Sequence, residues 1–156
     1  MNTGLENDPI LLLNDLARQM RTRGDQEARK YGMTRAQWIV LARLQRQPGI
    51  SQNELAAAAE VAPITIARLI DRLEEQNLVQ RCPDPLDRRV WRLRLTPEAK
   101  PHLRHIERYR EETRRLMIRG LDPGALEAFV QTLHIVKRNF SAGSQDFESK
   151  LADHDS

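Results

Sequence analysis

A mainly α fold with one small β-hairpin is predicted by three observations. Residues 51–76 hold two short helix patterns joined by a tight turn. Residues 78–95 follow as two extended segments around a polar turn that carries Asp87-Arg88-Arg89. Longer apolar helix patterns flank this block, at residues 8–30 and 97–140. Helix, turn, helix and basic hairpin, in that order, are what a winged helix-turn-helix needs to set one helix in a DNA major groove and a wing against the neighbouring backbone.

The elements can be justified in order. Residues 1–7 are polar and expected to be loose. Asp8-Pro9 is a helix start, a capping acid followed by proline in the first turn. Ile10, Leu13, Leu16, Ala17 and Met20 then recur at helical spacing, and Leu11 and Leu12 widen the apolar surface, so this helix needs a partner. Gly24 weakens the pattern locally. Thr34 with Gln37, and Ser51 with Glu54, have capping-box spacing and open the next two helices. Pro48-Gly49 ends the first of these, and a turn at Glu60-Val61-Ala62 ends the second.

From Pro63 to about Gln76, Ile66, Leu69, Ile70 and Leu73 form one apolar face, and Asn77 is the expected stop. Leu78 to Cys82 reads as a strand. In the next, Trp91, Leu93 and Leu95 are expected on a buried face, with Arg92 and Arg94 on an exposed basic one. Thr96-Pro97-Glu98 opens a helix to about Arg119, with Leu103, Ile106, Thr113, Leu116 and Met117 on or near its inner side. After Leu121-Asp122-Pro123, the last helix carries Leu126, Phe129, Val130, Leu133, Val136 and Phe140. Residues 141–156 have few apolar groups and are expected to be a disordered tail.

Composition bounds the function. The 156 residues fit one domain, residues 1–156, with 40% hydrophobic and 30% charged side chains. Aromatics at 4% argue against stacking platforms for single strands. The formal net charge of +3 permits a polyanionic partner without requiring one. One cysteine cannot make an internal disulfide, and the apolar run at Ile10–Leu13 is far below the ~20 residues of a membrane span. With no signal-peptide pattern, the expectation is a soluble cytoplasmic protein without a membrane partner.

Site residues follow from the helix-turn-helix reading. The start of the third helix, Pro63, Ile64, Thr65, Ala67 and Arg68, is the base-reading end. Thr65 can bond a base or phosphate, Ile64 can pack on a thymine methyl, and Arg68 can reach guanine or phosphate. Arg72 reads instead as the local partner of Glu75. In the wing, Arg88 and Arg89 can enter a minor groove, Asp87 orients one of them, and Arg92 adds to the basic face.

The segment "ITIARLIDRLEEQNLVQRCPDPLDRRVWRLRLTPEAK" resembles the MarR family of winged-helix transcription regulators, and "DLARQMR" and "TRAQW" resemble its SlyA-type branch. The resemblance covers about residues 10–140. It departs at Pro63 and Ile64, which are more apolar than many recognition-helix starts, and at Pro85 near the wing tip. It implies a homodimer with residues 8–30 and 97–140 as dimerisation helices around a winged helix-turn-helix at 34–96. Such a dimer would read a pseudo-palindromic operator in double-stranded DNA, most simply as a repressor. It further implies an effector, a small aromatic or phenolic acid, held by Arg18, Arg21 and Trp38; the other reading of Trp38 is a core residue, with the arginines solvated or paired to Asp15 and Asp25.

Other groups carry less. Cys82 reads as a small apolar residue, with adjacent Arg81 the one feature favouring a thiolate. His102 and His105 are three apart on a helix, but no further ligands join them locally, so no metal is expected. No nucleophile elbow, Walker loop, zinc-protease motif or paired cysteines occur, so no catalytic residue, cofactor or enzyme activity is expected. The alternative function is a winged-helix protein-interaction module without specific DNA binding.

Overall fold

The computed structural model describes residues 7–59 and 61–152, with side chains to residue 141. The chain divides into two compact units, Met1–Arg110 and Glu111–Ser156. The first holds α1 (Pro9–Arg29), α2 (Arg35–Arg46), α3 (Gln52–Ala59), α4 (Pro63–Glu75), β1 (Val79–Pro83) and β2 (Trp91–Leu95), then a 3-10 turn at Pro97–Ala99. Helix α5 (Lys100–Ile118) starts in this unit and ends in the second, which also holds α6 (Pro123–Ala152).

Local chemistry sets most helix ends. Asp8 Oδ1 accepts the Ile10 amide at 2.8 Å and caps α1. At α2 both halves of the Thr34–Gln37 capping box are made. At α3, Glu54 accepts the Ser51 amide at 2.7 Å and Ser51 Oγ accepts the Glu54 amide at 3.1 Å. Proline opens α4. Helix α4 closes with Asn77 at φ 56, its amide donating to Glu74 O at 2.8 Å and the Leu78 amide to Leu73 O at 2.9 Å. That is a Schellman closure, with asparagine in the left-handed position usually given to glycine.

The core of the first unit lies between α2, α3, α4 and the hairpin. Leu41, Leu44, Leu55, Ile66, Ile70, Leu73 and Leu93 are its largest fully buried side chains. Strands β1 and β2 pair antiparallel from Val79↔Leu95 to Pro83↔Trp91. The segment before α3 joins their edge: Gly49 N donates to Leu93 O at 3.1 Å, Leu93 N to Ile50 O at 3.0 Å, and Ser51 bridges Arg92. Trp38 is also core, packed near Tyr31 and Tyr109 with ring centroids 5.9 and 5.7 Å away. Gly24 lies where α1 is approached most closely; a Cβ there would stand 2.9 Å from Arg35 Cδ and 3.4 Å from the Tyr109 hydroxyl.

Several expectations are corrected. Trp91 is 46% exposed, not part of the buried face with Leu93, because it pairs with Pro83 at the far end of the hairpin. Thr96 does not cap a helix; its hydroxyl donates to Asn77 O at 2.6 Å and ties the end of β2 to the close of α4. Leu116 and Met117 are exposed. Helix α6 continues through residues 141–152, where a disordered tail was expected. Low apolar content argues against core burial, but Ala, Gln, Glu, Lys and Leu in that stretch favour helix on propensity alone. Residues 1–6, Glu60 and residues 153–156 lie outside the described residues.

Leu93 joins the hairpin to the helical core, so Leu93→Ala should lower unfolding stability by about 2–5 kcal/mol. Arg94→Ala, on the exposed side of the same strand, should change it by no more than about 0.5 kcal/mol. Urea denaturation of both variants checks the difference.

Candidate nucleic-acid interface

Helix α4 has one buried face and one open face. Ile66, Ile70 and Leu73 are buried, while Pro63, Ile64, Thr65 and Arg68 are exposed and Ala67 is half-buried. Ile64 is 60% exposed, an apolar group presented at the helix start. No side chain caps this N-terminus. The expected reading end is therefore accessible in the protomer, and its dipole favours an approaching anion.

The wing tip is built around one buried carboxylate. Asp84 Oδ1 accepts the Leu86 amide at 2.7 Å and the Asp87 amide at 3.1 Å, and Asp84 Oδ2 accepts Arg92 Nε at 2.6 Å. Asp84 N donates to Val90 O at 2.9 Å, which closes the loop. Asp87 Oδ1 accepts the Arg89 amide at 3.0 Å, so Asp87 shapes the turn's backbone and not a guanidinium. Among the described residues, the Arg88 and Arg89 guanidiniums make no hydrogen bond or ion pair, and both side chains are exposed.

Two other arginines are fully committed to the scaffold. Arg92 pairs with Asp84 and, at 3.2 Å, with Glu54, and donates to Gly49 O at 3.3 Å. It is half-buried, so the expectation that it adds to an open DNA-facing surface is corrected: the residue 49–51 segment on the hairpin edge draws it toward α3. Arg81 bonds Glu74, Asp71 at 2.7 Å, Gln52 Oε1 at 3.0 Å and Ala67 O at 3.3 Å, while its own amide donates to Glu74 at 2.8 Å. Neither network was found in the sequence. The i, i+3 rule had assigned Glu75 to Arg72, but Arg72 is exposed and has no ion pair among the described residues.

Among the described residues, no hydrogen bond, ion pair or ring contact joins Arg18, Arg21 and Trp38 to one another. Trp38 is buried, and no cation–π contact joins it to Arg18 or Arg21 among the described residues. Arg18 pairs with Asp15 at 2.9 Å, and Asp25 goes to Arg35 at 3.1 Å. What surrounds Trp38 instead is an aromatic–histidine cluster, with His105 stacked on Tyr31 at 4.0 Å. The Trp38 Nε1, His102 Nδ1 and His105 Nδ1 atoms are buried there without hydrogen-bond partners. Burial, then the neighbouring His105, pushes the His102 imidazole below its ordinary range. Among the described residues, no three His, Cys, Asp or Glu side chains are grouped to hold a metal ion, and no helix is long and apolar enough to cross a membrane.

Helices α3 and α4, followed directly by the β1–β2 hairpin, define a winged helix-turn-helix protein. The sequence profile of the MarR family matches residues 31–90. The HTH-type transcriptional repressor MdtR of Bacillus subtilis (strain 168) is 31% identical over 147 residues, which is 94% of this chain and 93% of that protein. The chain belongs to the MarR family of transcriptional regulators. The crystal structure of the transcriptional regulator SlyA is similar at a TM-score of 0.77 and 26% identity, covering 87% of this chain and 96% of that one. The Staphylococcus aureus MepR–DNA complex shares the fold, with a TM-score of 0.78 at 21% identity over 88% and 99% of the two chains.

The Arg92 guanidinium first, then the Leu86 and Asp87 amides, hold the Asp84 carboxyl below the usual aspartate range. A carboxyl lowered on folding stabilises the fold above its unfolded pKa and loses that contribution as pH falls through the folded one. Stability should therefore decline on acidification below the usual aspartate range, and less steeply in Asp84→Asn. Denaturation midpoints of the two proteins between neutral and strongly acidic pH provide the comparison.

Proposed function

We propose that this protein is a homodimeric repressor that binds a pseudo-palindromic site in double-stranded DNA and acts in the cytoplasm. The observation that carries the reading is the division of labour among its arginines. Arg81 and Arg92 are consumed by carboxylates inside the scaffold, whereas Arg68 and Arg72 on α4 and Arg88 and Arg89 on the wing are exposed without partners among the described residues. Free cations on a reading helix and a wing tip suit phosphate and groove contacts. Pro63, Ile64, Thr65, Ala67 and Arg68 form the major-groove set, and Arg88 and Arg89, shaped by Asp87, form the minor-groove set. Similarity to MdtR supports the repressor role, and the shared fold of a protein solved with DNA supports the docking mode.

The dimer rests on α1. Ile10, Leu11, Leu12, Leu13, Leu16 and Met20 are exposed along it, a large apolar surface for a lone protomer. A two-fold partner that covers this row would set two reading helices about one DNA turn apart, roughly 34–36 Å. Relief by a small aromatic acid belongs to the same proposal. Its support is the unpartnered ring nitrogens around Trp38, since buried polar atoms ordinarily have partners. The ligand acts only through different affinity for the DNA-competent and DNA-incompetent states.

Light scattering should give a particle of twice the 18.1 kDa chain mass. Arg89→Ala should weaken binding to a selected duplex by about tenfold or more and lower the salt slope by about 0.9. Unchanged affinity at moderate salt removes the wing from the mechanism, and a salt-insensitive protein complex without any duplex shift favours an interaction module. In a thermal-shift series, aromatic acids should raise the melting temperature; no response from any of them refutes the effector.

A further inference from the structure

Leu86 is the most exposed large apolar side chain among the described residues, at 96%. A single leucine in water is ordinary on most surfaces. This one is held stiffly. Pro85, with its restricted φ, precedes it. The Leu86 amide is bound to the buried Asp84 carboxylate at 2.7 Å, the Asp87 amide shares that oxygen, and Arg92 grips the other one. The turn therefore fixes the backbone from which the isobutyl group projects, and the free cations of Arg88 and Arg89 follow one residue later, after Asp87. Asp87 is the exposed acid on the same turn, so two cations stand against one anion, and Asp84 is matched by Arg92.

Leu86 stands between Pro85 and the charged run Asp87-Arg88-Arg89, and Trp91, 46% exposed, is the one other large open apolar side chain of the hairpin among the described residues. That disfavours a protein hot spot, which needs a contiguous apolar centre. It suits a polyanion whose groove has sugar walls and a floor of base edges. We propose that Leu86 is a specificity-determining residue of the wing, seated in the minor groove, where it discriminates against G·C pairs. The inference rests on the DNA-binding reading above.

The chemistry is a matter of one donor. In the minor groove A·T and T·A show only acceptors, while G·C adds the guanine N2 amino group. An alkyl group pressed onto that amino group strips its water and returns no hydrogen bond, which leaves a polar group unsatisfied. Against A·T the same alkyl group also strips water from acceptors, but G·C carries acceptors too, so the amino group is the added cost. Arginine senses the potential of a narrow groove. Leu86 adds a direct test for the amino group.

The test begins with a duplex selected from a random-sequence pool by the full-length wild-type protein, its wing-covered positions located by hydroxyl-radical footprinting. Those positions are then varied among A·T, G·C and inosine·cytosine, since inosine is guanine without the N2 amino group. Wild type should bind the G·C duplex about tenfold more weakly than A·T, within the usual span for one wrong base pair, and inosine should restore most of the loss. In Leu86→Ala the gain from inosine should shrink to less than about threefold, as expected when two interacting groups form a cycle. Leu86→Asn, whose amide oxygen can accept from the amino group, should tolerate G·C. The salt slope of Leu86→Ala should match wild type, because no phosphate contact is removed. Equal inosine gains in wild type and Leu86→Ala overturn this inference and leave DNA binding standing, whereas failure to enrich any duplex overturns both.

Discussion

The pairing of Asp84 with Arg92 is the interaction on which the interface depends. A buried carboxylate is costly unless its oxygens are bonded. Here one oxygen takes two wing amides and the other takes the guanidinium. Arg92 then reaches Glu54, and Glu54 is also the acid of the α3 capping box, its carboxyl lowered chiefly by the Ser51 amide and hydroxyl. Wing tip, central strand and the start of α3 thus share one chain of charged hydrogen bonds. Removal of Arg92 would leave the buried Asp84 carboxylate without its cation, so this pair specifies geometry more than it adds stability.

Arg81 performs the matching task on the other strand. Its contacts with Gln52, Ala67, Asp71 and Glu74 bring α3, α4 and β1 to one guanidinium. The planar fork of arginine can satisfy several acceptors in different directions, which lysine cannot do. The angle between reading helix and wing is therefore set before any ligand arrives. Preorganisation of this kind lowers the ordering cost of binding.

What was legible in the sequence was local. Both capping boxes, the proline starts of α1 and α4 and the asparagine closure of α4 depend on residues within a few positions of each other, and all are as expected. The networks were illegible for the same reason. Arg92 meets Glu54 and Gly49 across 38 and 43 residues, and Arg81 meets Gln52 across 29. Charge pairing by i, i+3 spacing assigned Glu75 to Arg72 and missed that Asp71 and Glu74 face the hairpin. Strand alternation placed Arg92 outward and Trp91 inward. It assumes a two-layer hairpin with a uniform inner face, and fails where the residue 49–51 segment adds an edge and where the hairpin outruns the helices at Pro83. The surroundings of the effector residues drawn from resemblance were equally illegible, since Trp38 neighbours Tyr31 and Tyr109 and Arg18 pairs with Asp15.

Charge distribution completes the argument. The formal net charge of +3 is too small to mark a DNA-binding surface. Each structural arginine, however, faces two carboxylates: Arg81 with Asp71 and Glu74, Arg92 with Asp84 and Glu54. Each of the two networks therefore holds one carboxylate more than its arginine balances. Under the DNA-binding reading proposed above, that bias would turn phosphate from the arginines that hold the fold toward exposed ones such as Arg68, Arg72, Arg88 and Arg89. A protein that spent all its arginines on the surface would bind DNA in many orientations. Here the two networks fix the positions from which the exposed cations of α4 and the wing would meet phosphate in the proposed complex.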